Sequence, residues 1–294
     1  MRHRVAAAHH FASTLAIVLL QLTANVWADA SVWRVTNGES TVYLGGTVHM
    51  LRPEDFPLPE EFALAYEASS ELFFETDISS LVDPGVQSQM LQKLTYGSNL
   101  SLKDVLNIEA YTALENYTAE VGMPLIMLER FKPGMIVSTL QALEFQRMGF
   151  TPEGVDAFFN SQALADGKAV GALETLDEQI NLLATMGEGN ESEFIIMSLE
   201  DLESTAGLMD DMIDAWRYGD LEALRNLFVD DMLDRAPAVY DLLLRQRNLR
   251  WIPQIEAMLD DPETEFVLVG AAHLVGGDGV VELLRSRGYG ISKL

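Results

Sequence analysis

Beyond residue 30 the chain holds two histidines, His49 and His273, each three positions after a glycine at the end of an apolar, strand-like run. Leu44-Gly45-Gly46-Thr47-Val48-His49-Met50-Leu51 can be laid over Leu268-Val269-Gly270-Ala271-Ala272-His273-Leu274-Val275, which argues for a shared role. Glycine lets a strand turn sharply without a Cβ clash, so the imidazole that follows can project above a sheet. Neutral imidazole ligates zinc, cobalt, nickel or iron, and it is also the side chain suited to proton transfer near neutral pH. Two histidines do not fill a catalytic coordination shell. A carboxylate is the natural third ligand, leaving a position for water whose pKa the ion lowers.

Glu75 ends the apolar run Leu72-Phe73-Phe74 and suits a ligand or general base, or a surface acid beside a buried strand. Glu174 follows Val170-Gly171-Ala172-Leu173 in a similar setting and competes for the same roles. Gln179, one helical turn further on, can orient substrate through its amide. In Arg247-Asn248 the arginine can hold a substrate carboxylate or form a structural ion pair, and either residue can stabilise an oxyanion. Asp156, after Gly154-Val155, can cap the helix that follows or hold a histidine from behind. Other chemistries lack their residues. Cysteine is absent, and no Gly-x-Ser-x-Gly elbow, His-Glu-x-x-His helix or Gly-x-Gly-x-x-Gly loop occurs.

The elements that must position these side chains follow from periodicity and turn signals. Residues 31–36 and 41–44 read as strands joined at Asn37-Gly38, a strong hairpin signal. Further strands are expected at 71–75, 168–173 and 265–269, with an edge strand near 288–291. Helical spacing marks 60–69, 101–118, 136–148, 176–186, 191–217, 221–233, 237–259 and 279–287. The predicted fold is α/β (α+β): a central mixed sheet built from the N- and C-terminal segments, with a large helical insertion at about 79–260. Residues 31–294 form one domain in this reading, because neither terminal portion has an adequate core alone. Ligands of open α/β sheets bind beyond the carboxyl ends of the strands, where the histidines and Glu75 would meet.

The first residues have a different purpose. Arg2, His3, Arg4, His9 and His10 form a basic head, an apolar run follows, and small residues lead to Ala28 and Ala30. This is the layout of a signal peptide over residues 1–28, with cleavage after Ala28 or Ala30. The expected location is periplasmic or secreted, with no membrane span after processing. The 294 residues carry 45 acidic and 19 basic side chains, net −26, which argues against nucleic acid and anionic lipid as partners.

Taken in order, these motifs resemble the TraB/PrgY/GumN family in its bacterial GumN-like branch, related to the animal Tiki metalloproteases. The resemblance rests on Tyr43 to His49, Leu72 to Asp77, Gly154-Val155-Asp156, Leu173-Glu174-Thr175 with Gln179, Arg247-Asn248, and Val269 to Gly276. It implies an active-site signature of His49, Glu75 and His273, with Glu174, Arg247 and Asn248 at further motif positions. Tiki proteins are metal-dependent proteases using manganese or cobalt, so the implied cofactor is a divalent ion: manganese, cobalt or zinc. Phe131-Lys132-Pro133-Gly134 departs from the pattern, with glycine where GumN-like chains commonly carry tryptophan. The leading expectation is metal-dependent hydrolysis of a peptide or small-molecule substrate. Two alternatives stand beside it: a metal-independent His/Glu esterase or amidase, and a non-catalytic periplasmic ligand-binding or regulatory protein.

Overall fold

The computed structural model describes residues 30–205 and 207–294; the signal-peptide segment expected at residues 1–28 lies outside them. β1 (Val32–Asn37) and β2 (Ser40–Thr47) form the opening hairpin. Its loop residues are Gly38 and Glu39 rather than Asn37 and Gly38, because Asn37 pairs with Ser40 and Gly38 takes the turn at φ +62°. Positive φ at the first central position of a two-residue hairpin loop is where glycine is favoured. β3 (Glu71–Phe74), β4 (Ala169–Ala172), β5 (Glu265–Gly270) and β6 (Gly290–Lys293) complete a six-stranded mixed sheet ordered β4-β3-β5-β2-β1-β6.

β4, β3, β5 and β2 run parallel, and β1 lies antiparallel to both β2 and β6. Phe74 stands opposite Ala172 on one side and Leu268 on the other, while Thr47 stands opposite Gly270. Four neighbouring carboxyl ends therefore share one edge of the sheet. The side chains just beyond them are Glu174, Glu75, His273 and His49. Strands about 4.8 Å apart bring these residues together from opposite ends of the chain.

β5 lies inside the sheet and is covered on both faces, as its unbroken apolar run requires. Its alternate residues enter different cores. Phe266 and Leu268 pack with Phe62, Phe159 and Trp216, from helices Glu60–Ala68, Val155–Asp166 and Met209–Arg217. Val267 and Val269 pack with Leu44, Trp251, Ile252 and Leu284, the last three from helices Gln246–Met258 and Val280–Ser286. A third core, with Leu114, Ile136 and Ile195, holds the helices of the middle region together.

Several expected helices are interrupted. The one expected over 101–118 divides into Leu102–Val105 and Ile108–Glu120, because the Asn107 side chain accepts from the Ala110 N–H and caps the second. The 191–217 segment divides into Glu191–Thr205 and Met209–Arg217. The 221–233 and 237–259 segments each contain a π-helical stretch, Asn226–Asp230 and Asp241–Arg245, the second directly before the helix that carries Arg247. Among the described residues no helix is long and apolar enough to cross a membrane.

Candidate active site at the carboxyl edge of the sheet

His49 follows β2, and its partner comes from helix Val155–Asp166. The Val155 N–H donates to the Val48 carbonyl at 3.0 Å, and a Cβ on Gly154 would collide with the His49 carbonyl. That close approach brings the second residue of the helix, Asp156, against the strand end. Asp156 accepts from Thr47 Oγ1 at 2.9 Å and lies 2.8 Å from His49 Nδ1. Asp156 does not cap its helix: Gly154 is the N-cap and contributes no side-chain bond. A carboxylate only accepts, so His49 Nδ1 carries the proton. The charge of Asp156 raises the imidazole pKa to about 9, against the cost of desolvation. The ring is 69% exposed, so water screens part of that attraction.

His273, in the single turn Ala271–Leu274 after β5, is 4% exposed and has the opposite character. Asn248 Nδ2 faces two carbonyl oxygens, of Asp278 at 2.8 Å and of His273 itself at 3.3 Å. Its Oδ1 must then be the atom 2.6 Å from His273 Nδ1, and it accepts the proton there. Both ends of the Asn248 amide are engaged in orienting His273, so the side chain is not directed at an oxyanion. The lone pair of His273 is left on Nε2. Burial keeps the ring neutral, lowering its pKa to about 3.

Arg247 joins the centre. Its Nε lies 3.0 and 3.1 Å from the two Glu174 oxygens, and its Nη2 lies 2.6 Å from Glu75 and 2.9 Å from Glu174. Nη1 donates to the Leu243 carbonyl and, at 3.0 Å, to His273 Nε2. Burial opposes the Glu75 charge, yet the carboxyl is held well below its usual range by positive neighbours and the Gly270 N–H. With His273 neutral, the cations that act on Glu75 near neutral pH are Arg247, in direct contact with it, and His49. Arg247 itself stays charged despite burial, because Glu75 and Glu174 face it.

The two acids are not equivalent. Glu174 also accepts from Trp251 Nε1 at 3.0 Å and Arg250 Nη2 at 3.3 Å, so every side of it is engaged. Glu75 accepts from Gln179 Nε2 at 3.2 Å through one oxygen, while the other, Oε1, takes the Gly270 N–H and lies 3.7 Å from His273 Nε2. The motif glycines serve close approach rather than a left-handed turn. Neither Gly46 nor Gly270 has positive φ, and a Cβ would stand 3.2 Å from Ala271 Cα at Gly46 and 3.2 Å from Glu75 Oε1 at Gly270.

The sequence matches the TraB/PrgY/gumN family over residues 31–293. The chain belongs to the TraB/PrgY/gumN family. Within curated proteins it is similar to the uncharacterized protein YbaP of Escherichia coli, 25% identical over 84% of this chain and 89% of that one. It is also similar to Metalloprotease TIKI2 of Danio rerio, 27% identical over 84% of this chain, and to Metalloprotease TIKI1 of the same fish at 23%. The chain spans 57% of the length of that TIKI2 and 60% of that TIKI1. No solved structure matches.

All eight side chains singled out in the sequence of this family member make contacts around this edge, in two groups: His49 with Asp156, and Arg247 with Glu75, Glu174, His273, Asn248 and Gln179 through direct or shared bonds. The sequence reading passed over Thr47, Arg250 and Trp251. Thr47 lies inside the first Gly-x-x-His motif, and Arg250 and Trp251 stand three and four positions after Arg247 on one helix face. Trp216 was also missed; fully buried, it donates from Nε1 to the Gly46 carbonyl at 2.7 Å and anchors that motif. A cavity of about 600 Å³ lined by Arg52, Asp55, Asp210 and Arg217 shares no residue with the cluster. There Arg52 pairs with Asp55 and Asp210, and Arg217 donates to the Pro57 and Asp55 carbonyls, so the strand edge remains the better candidate.

Proposed function

We propose that this chain is a hydrolase working at the strand-edge cluster, and that it cleaves a peptide-like bond with the help of a divalent ion. The observation that carries the proposal is the matched pair of imidazoles. Each has its Nδ1 proton held by a side chain behind it, Asp156 or Asn248, which makes Nε2 the nitrogen for ligation or proton transfer; His49, with a pKa of about 9, must release its Nε2 proton before it ligates. The donor types fit a divalent cation, with His49 Nε2, His273 Nε2 and Glu75 as the residues that would hold it. Among the described residues, however, no three His, Asp or Glu side chains are already grouped as an ion would need. The ion would supply Lewis acidity and a water of lowered pKa. Glu75 is the carboxylate closest to the reacting position, and Glu174 acts through Arg247 by fixing its guanidinium. The TIKI relatives are named metalloproteases, which supports the metal and the peptide bond. Periplasmic or secreted location, and a single domain over residues 31–294, belong to the same proposal.

A second reading draws on the Asp156–His49 pair, an exposed imidazole backed by a buried carboxylate and arranged as an acid–base dyad needing no ion. In it His49 Nε2 moves the proton and Arg247 offers positive charge to an oxyanion. Elemental analysis and turnover of a peptide and ester panel, before and after exhaustive chelation, separate the two. The metal reading expects one bound ion, lost together with activity in His49→Ala and in His273→Ala. Undiminished metal content in the folded double variant would refute the ligand assignment, and turnover by metal-free protein would favour the dyad. Saturable binding without product over the whole panel would point to a non-catalytic binding protein.

A further inference from the structure

Arg247 has the bonds that a metal ion at this place would have. It is 6% exposed, and each of its three nitrogens is engaged: Nε with Glu174, Nη1 with His273 Nε2 and the Leu243 carbonyl, Nη2 with Glu75 and Glu174. Two of these partners, Glu75 and His273, are also residues proposed to ligate the ion. The conflict is sharpest at His273. Its Nδ1 proton goes to Asn248, so Nε2 carries one lone pair, and that lone pair accepts from Arg247 at 3.0 Å. One lone pair cannot serve a guanidinium N–H and a cation together.

We infer that the Arg247 guanidinium and a divalent cation are alternative occupants of the Glu75–His273 centre, so that Arg247 is a positioning residue that keeps metal affinity low and ties metal entry to its own displacement. The inference rests on the metal reading above and adds what controls the site. The arrangement of the cluster agrees with it. Glu174 is held by Trp251 and Arg250 as well as Arg247, giving the guanidinium a fixed anchor through Nε. Trp251 packs against both Arg247 and the histidine it engages, its ring 4.9 Å from the Arg247 guanidinium carbon and 4.4 Å from the His273 ring centre. Releasing His273 Nε2 and Glu75 requires Nη1 and Nη2 to move, which also gives up the bonds of Nη1 to the Leu243 carbonyl and of Nη2 to Glu174, while the Nε bonds to Glu174 can persist as an anchor. No compensating cation is needed while Arg247 is in place, which explains why the acids are paired although three metal ligands are not grouped.

The test is metal binding rather than turnover. Calorimetric titration with Co²⁺, Mn²⁺ and Zn²⁺ is compared for the natural chain, Arg247→Gln and Arg247→Lys, with Co²⁺ absorption in the visible reporting the ligand set. Arg247→Gln should bind one equivalent roughly tenfold or more tighter than the natural chain, since a buried cation competing for the same lone pairs is gone. Arg247→Lys should lie between them, because an ammonium lacks the planar fork that reaches three partners. Adding His273→Ala to either variant should remove the Co²⁺ bands. Equal or weaker binding in both arginine variants than in the natural chain overturns the inference and leaves the metal reading standing. Absence of binding in all three overturns both. If Arg247→Gln does not fold by circular dichroism, Arg247→Lys decides, and no gain in its affinity counts against the inference.

Discussion

His273 Nδ1 lies 2.6 Å from Asn248 Oδ1, and two main-chain carbonyls facing Asn248 Nδ2 determine which way that amide points. The histidine is thereby held neutral in one tautomer, with its lone pair toward Arg247. Asn248→Leu should cost about 1–3 kcal/mol by leaving buried polar groups unpaired. Urea denaturation at neutral pH measures this, and an unchanged midpoint would show that the amide does not hold the ring.

The same ring makes stability acid-sensitive. Its folded pKa of about 3 lies below the unfolded value of 6.5, so its contribution is complete above pH 6.5 and is lost as pH falls toward 3. Glu75, also depressed, adds to the loss below its ordinary value of 4.5. In a Glu265→Gln background, which removes the opposing titration at the other end of β5, urea midpoints should fall from pH 6.5 downward, and adding His273→Gln should remove the part of that fall lying above pH 4.5. A fall of equal size in the variant would assign it elsewhere.

His49 should show the reverse dependence. Its pKa of about 9 exceeds 6.5, so stability from the Asp156 pair is present below pH 6.5 and lost as pH rises through 9. With the ring largely exposed, the gain is below about 1 kcal/mol. Proton NMR titration of the ring is the more sensitive measurement, and Asp156→Asn should return its pKa toward 6.5. Persistence near 9 in Asp156→Asn would mean that another group carries the shift.

At the opposite end of β5, Glu265 is buried, and its Oε2 has no hydrogen-bond partner. Burial pushes its pKa up to about 7, with Asp261 and Glu71 nearby in the same direction. The folded state then prefers the protonated acid, and stability is lost as pH rises from about 4.5 through 7. Glu265→Gln should abolish that loss and be more stable than the natural chain at pH 8, read from thermal melts across this range. Equal slopes in both proteins would remove Glu265 as the cause.

The apolar run of β5, the hairpin signal at Asn37-Gly38 and the repeated Gly-x-x-His were all legible in the residues, because apolar runs and glycine placement are local properties. They located the strands and the edge at which His49, Glu75, Glu174 and His273 meet. Local pattern could not place the helix interruptions, since a π-helical stretch such as Asp241–Arg245 differs from an α-helix in its hydrogen-bond register, which residue types do not display. Nor could it assign partners. Asp156 looked equally able to cap a helix or hold a histidine, and the approach of Gly154 to His49 decided between them. Asn248 suited an oxyanion until its amide was seen bonded around His273. The types of chemical group at the site were thus determined by the sequence alone. Which lone pairs are engaged, and by Arg247 above all, was decided by tertiary structure, because hydrogen-bond pairing depends on distances between segments that the chain order does not contain.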